Sequence, residues 1–102
     1  MRRRVQCKVK VFGDVSSAGF RSLLQRQAKA WRVKGWVREL EPEEDEERDP
    51  ADPQFEAVFH GSDADVDALV RWCERGPVSE GVTEVQTERM GLEAFFGFDV
   101  RR

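Results

Sequence analysis

Apolar and polar residues alternate almost from the start of the chain, where Val5, Cys7, Val9 and Val11 interleave with Arg4, Gln6, Lys8 and Lys10. Successive side chains of a strand point to opposite faces, so this pattern predicts a strand with one buried face that ends near Phe12 and Gly13. The period then changes. Phe20, Leu23, Leu24, Gln27, Ala28 and Trp31 recur at helical spacing and predict a first helix, which Gly35 stops. Residues 36–40 read as a second strand, and Phe55 to His60 as a third. Ser62, with Asp65 three residues on, is an N-cap signal, and Val66, Leu69, Val70 and Cys73 form the apolar stripe of a second helix that Gly76 and Pro77 end. Residues 82–87 predict a fourth strand. Phe96, Phe98 and Val100 predict a short fifth one extending an edge.

The order β-α-β-β-α-β predicts an α+β, ferredoxin-like sandwich, an antiparallel sheet with both helices on one face. With 102 residues the chain reads as a single domain, 1–102, since two cores would not fit. This fold hosts many functions, so function has to come from the residues of a site.

Charge is unevenly spread. Residues 41–53 hold eight acids, three prolines and one Arg, which predicts a solvated loop insertion between strands 2 and 3. The remaining 89 residues carry 16 basic and 12 acidic side chains, so the body is mildly cationic despite a net charge of −3. Prolines and the lack of alternating Asp spacing argue against a calcium loop there. Cys7 and Cys73 fall at apolar positions and are too few for a disulfide framework or zinc site; they read as buried free thiols. No apolar run approaches the roughly 20 residues of a membrane span, and Met1-Arg2-Arg3-Arg4 leads into an alternating strand, not the continuous apolar core of a signal peptide. A cytoplasmic protein is expected.

The candidate chemistry lies between the first strand and first helix. Gly13-Asp14-Val15-Ser16-Ser17-Ala18-Gly19 is made of small or turn-forming residues, which leaves backbone amides accessible. The first amides of a helix lack intrahelical acceptors and sit at the positive end of its dipole, so such a loop is a natural anion site. Arg21 strengthens this reading, because a cation near a helix start opposes the dipole by ~0.3–1 kcal/mol unless an anion compensates. From spacing alone, a plain turn with Arg21 in solvent fits equally well. A Walker A loop and a dinucleotide fingerprint do not fit, since Phe20-Arg21 follows Gly19.

Gly13-x-Val15-x-x-x-Gly19-Phe20-Arg21, followed by Gly35-Trp36-Val37-Arg38, resembles the signature of the acylphosphatase family. Gly76-Pro77 and Gly97-Phe98-x-Val100 extend the resemblance over nearly the whole chain apart from the acidic insertion. The resemblance implies hydrolysis of the carboxyl–phosphate bond of acyl phosphates, with a phosphate-binding loop of Val15, Ser16, Ser17, Ala18, Gly19, Phe20 and Arg21, and Arg21 as the phosphate ligand. It implies neither cofactor nor metal, and a monomer whose partner is a small acyl phosphate or inorganic phosphate. Where the family has an Asn that orients the attacking water, this chain has Glu39. A carboxylate cannot donate a hydrogen bond, and two unit charges 4 Å apart repel by ~4 kcal/mol at an effective dielectric of 20. Glu39 therefore implies weak turnover, either as a general base toward water or neutralised by Arg21, a pairing that would compete with substrate. Ser17 replaces a family Gly, which would strain a positive φ, and Asp14 adds negative charge at the mouth.

Three further readings remain open. One is a catalytically inactive anion-binding relative. Another is an RNA-binding module, since RNA-recognition domains share this element order; the aromatic RNP1 pattern is absent and Phe55 and Phe59 read as core, so nucleic acid is not an expected partner. The third is a partner-binding module using the acidic segment. His60, alone beside Gly61 at a strand end, reads as a hydrogen-bonded surface residue, and Ser16 and Ser17 as loop hydrogen-bonders without a neighbouring base.

Overall fold

A computed structural model describes residues 3–15, 17–40, 52–75, 81–91 and 97–101. Its elements are β1 (Arg4–Gly13), α1 (Ser17–Ala30), β2 (Lys34–Glu39), β3 (Phe55–Ser62), α2 (Asp63–Arg75), β4 (Val82–Arg89) and β5 (Phe98–Arg101). The five strands form one sheet in the order β4-β1-β3-β2-β5. β1 pairs antiparallel with both β3 and β4, and β2 antiparallel with β3. β5 extends an edge as expected; the edge is that of β2, and the two run parallel, so the sheet is mixed, not wholly antiparallel. Residues 41–51 of the acidic insertion, the Gly76-Pro77 step and Phe96 lie outside the described residues.

The alternation read from the sequence selects the buried face. Val5, Cys7, Val9 and Val11 of β1, Val37 of β2, and Phe55, Ala57 and Phe59 of β3 pack in one core with Phe20, Leu24 and Ala28 of α1 and Val66, Leu69 and Cys73 of α2. Both helices thus cover the same face. Phe55 and Phe59 are fully enclosed there and are not presented as a stacking platform. The opposite face is polar but not bare. Lys8 and Arg38 approach Glu56 at 3.7 and 3.6 Å, and the guanidiniums of Arg38 and Arg101 lie 5.7 and 4.8 Å from the ring centre of Trp36. Val58, between Lys8 and Trp36 in register, is buried beneath this layer.

Two backbone details differ from the sequence reading. The first helix does not run on to Gly35. Val33 donates to the Ala28 carbonyl at 2.8 Å and Arg32 to that of Lys29 at 3.2 Å, the paired bonds of a Schellman ending, with Arg32 in the left-handed region at φ 58°. Gly35 serves the sheet instead. Its φ is 132°, and a Cβ there would meet the Val58 carbonyl oxygen at 1.8 Å, so only glycine lets β2 lie this close to β3.

Both cysteines are buried and free, as read from their apolar positions. Burial pushes the Cys73 thiol up to about 12. His60 is half-buried, and its Nδ1 lies 3.1 Å from the Gln6 Oε1. Burial, and then the charges of Arg4 and Lys34, lower the His60 pKa below its ordinary value.

Candidate functional site at the start of the first helix

β1 and β2 are both antiparallel to β3, so they run the same way and finish at the same end of the sheet. There β1 delivers Gly13 and the loop into α1, and β2 delivers Glu39. The end row is set by pairing: Val11 stands opposite Phe55, and Phe55 opposite Glu39. Glu39 shares the strand face of Val37, the face the helices cover, and is half-buried. Phe20 of α1 packs its ring on Phe55 with centroids 4.7 Å apart, which docks the start of the helix over this row. Two positions 18 residues apart in sequence, Arg21 and Glu39, thereby come to one end of the sheet.

The crossing at Gly13 holds the loop close to β4. Gly13 has φ 121°, and a Cβ there would lie 2.0 Å from the Gly81 carbonyl oxygen. Val15 follows with its side chain in the core. Its N–H donates to Gln54 Oε1 at 2.8 Å, and its carbonyl accepts from Gln54 Nε2 at 2.6 Å. The Val15 amide is therefore committed to protein.

α1 begins at Ser17, so the amides of Ser17, Ala18 and Gly19 have no acceptor within the helix, and no acid stands in the first turn to neutralise the dipole. Gly19 is exposed, with nothing within 4 Å of where a Cβ would stand, leaving the approach open. Ser17 is helical, so the strain foreseen for a Ser at a positive φ does not arise. Phe20 is buried, and Arg21 is the fifth residue of the helix, half-buried, one turn from its start. Cα–Cβ bonds of a helix tilt toward its N-terminus, the end at which those amides lie. Asp14 is exposed at the mouth. Ser16 lies outside the described residues, as do the side chains of Ser17 and Ala18. Among the described residues, no three His, Cys, Asp or Glu side chains gather as a metal site requires.

Gln54 is the site residue that sequence reasoning missed. It stands between the acidic segment and β3, is buried, and offers no periodic signal; only a polar residue flanking an apolar strand could have hinted at a clamp.

The sequence profile of the acylphosphatase family matches residues 7–100. An acylphosphatase of Haloarcula marismortui is 38% identical over 91 residues, covering 89% of each chain. One from Pseudomonas paraeruginosa is 37% identical over 92 residues, covering 90% of each. Among solved structures, an acylphosphatase from Coxiella burnetii superposes with a TM-score of 0.78 at 26% identity, covering 96% of this chain and 93% of its own. A chain matched over nearly its full length in sequence and in fold belongs to the acylphosphatase family.

Proposed function

We propose that this protein is an acylphosphatase that hydrolyses the carboxyl–phosphate bond of acyl phosphates, with the phosphoryl group seated at the start of α1. The observation that carries this reading is the open, acid-free N-terminus of α1 at the sheet end where β1 and β2 both finish. The amides of Ser17, Ala18 and Gly19 donate to the phosphoryl oxygens, and Arg21 supplies the countercharge and a planar pair of donors. Phe20 contributes by anchoring the helix. An acyl phosphate leaves as a carboxylate without needing a proton, so positioning and charge stabilisation suffice for much of the rate.

Glu39, at the end of β2, accepts a hydrogen bond from the attacking water and draws off its proton in this reading. Its charge also opposes the phosphoryl group, which keeps turnover low. That same charge favours a second reading, a domain that binds phosphate without turning it over. The site is assembled within one chain, which supports action as a monomer, and the two buried free thiols suit a reducing cytoplasm. Among the described residues, no helix is long and apolar enough to cross a membrane.

Hydrolysis of benzoyl phosphate by the purified protein, competitively inhibited by inorganic phosphate, is the result expected. Binding of phosphate without hydrolysis would select the second reading.

A further inference from the structure

We infer that Gln54 is a positioning residue for the phosphate cradle, and that its side-chain amide holds the loop in the shape that an anion meets. The inference rests on the proposed site at the start of α1 and goes beyond it, because nothing in the family signature includes this position.

The geometry is specific. One primary amide closes two hydrogen bonds on a single backbone residue, accepting from the Val15 N–H at 2.8 Å and donating to the Val15 carbonyl at 2.6 Å. This reciprocal pairing imitates a β-ladder rung, and it fixes which way the amide faces. The backbone of Gln54 adds two more bonds, donating to the Val11 carbonyl and accepting from the Leu40 N–H, both at 2.7 Å. One residue therefore joins the end of β1, the residue after Glu39 and the first residue of the cradle. Gln54 is only 7% exposed, so these bonds are made away from competing water.

Among the described residues, no other backbone hydrogen bond fixes Val15 in this way. β1 ends at Gly13 and α1 starts at Ser17, which leaves Val15 in neither ladder nor helix. By occupying its N–H, Gln54 also sets the boundary of the anion site. The Val15 amide is spent on the fold, and the proposed site begins with the helix-start amides from Ser17 on.

The side-chain chemistry suggests the test. Met matches Gln in length and volume but can neither donate nor accept here. Glu keeps the acceptor for the Val15 N–H and sets a carboxylate oxygen against the Val15 carbonyl. The Kd for inorganic phosphate is read from amide shifts, and KM and kcat from benzoyl phosphate hydrolysis. The variants are Gln54→Met and Gln54→Glu, with Val66→Ala in α2 as a destabilised control outside the site. Gln54→Met is expected to raise the phosphate Kd and KM about tenfold, with kcat within about threefold, and to speed hydrogen exchange at the Val15 amide. Gln54→Glu should lie between Met and wild type, and Val66→Ala should alter neither constant.

Wild-type phosphate affinity and KM in Gln54→Met, or an equal loss in Val66→Ala, would overturn the assignment. If Gln54→Met does not fold, the Gln54→Glu affinities decide by the same criterion. A wild type that binds phosphate but hydrolyses nothing refutes the proposed activity alone, and the affinities then decide on Gln54. A wild type that binds no phosphate overturns the assignment as well.

Discussion

The ring of Phe20 lies against that of Phe55, centroids 4.7 Å apart and planes inclined by 34°, and through this contact the start of α1 is registered on the end row of the sheet. Phe55 faces Glu39 across the β2–β3 ladder. The contact thus connects the residue before Arg21 to the residue opposite Glu39.

Glu39 gives the sharpest substitution. Replacing it with Asn removes a charge that opposes the phosphoryl group while keeping an oxygen that accepts from water. Glu39→Asn should raise kcat/KM for benzoyl phosphate about tenfold, equivalent to ~1.4 kcal/mol and well under the ~4 kcal/mol bound for charges 4 Å apart, because the residue is only half-buried. A fall in kcat/KM would mean that the carboxylate's basicity matters more than its charge.

Gly19 separates a cradle of amides from one of side chains. Its Cβ position is empty, and Ala is a better helix former, so Gly19→Ala should stabilise the protein by ~0.5–1 kcal/mol in urea unfolding. The amide N–H is kept, and hydrolysis should be kept with it.

The two positive-φ positions flanking β2's start should respond in opposite directions. Arg32 occupies the left-handed position that ends α1, where Gly carries no Cβ penalty, so Arg32→Gly should raise stability by about 1 kcal/mol and Tm by roughly 4 °C. Gly35→Ala drives a methyl into the Val58 carbonyl and should cost at least about 3 kcal/mol. Thermal unfolding of both variants checks the pair.

His60 makes stability depend on pH. Its folded pKa lies below the ordinary 6.5, so the unfolded chain binds the extra proton more readily. Stability contributed by the neutral ring is therefore complete above about pH 6.5 and declines as pH falls toward the folded pKa. The ring should titrate below 6.5 by NMR, and His60→Gln should flatten the urea midpoint between about pH 5.5 and 7.5.

Much of this architecture is legible in the chain because its strands and helices differ in period. Val5 to Val11 alternate cleanly, Phe20, Leu24 and Ala28 keep helical spacing, and the structure places these in one core; Leu23 of the same stripe is instead 40% exposed. The loop from Gly13 to Arg21 announces itself through small residues followed by an Arg. What is not legible depends on contacts distant in sequence. Nothing local says that β5 joins β2 in parallel, or that Gly35 is needed where β2 passes Val58 and not to stop the helix. Arg32 shows the limit of a glycine-based rule, since the left-handed turn is made by a residue with no preference for it. Gln54 is the plainest case: its partner lies 39 residues earlier, and a single buried amide leaves no pattern.

The measurement that bears most directly on the proposed function is benzoyl phosphate hydrolysis by wild type and Arg21→Ala, alongside phosphate binding by both. The cradle account predicts hydrolysis above the buffer rate in wild type, a loss of at least about a hundredfold in Arg21→Ala, and a matching loss of phosphate affinity with the fold intact. Arg21→Ala that retains wild-type hydrolysis and phosphate affinity would contradict it.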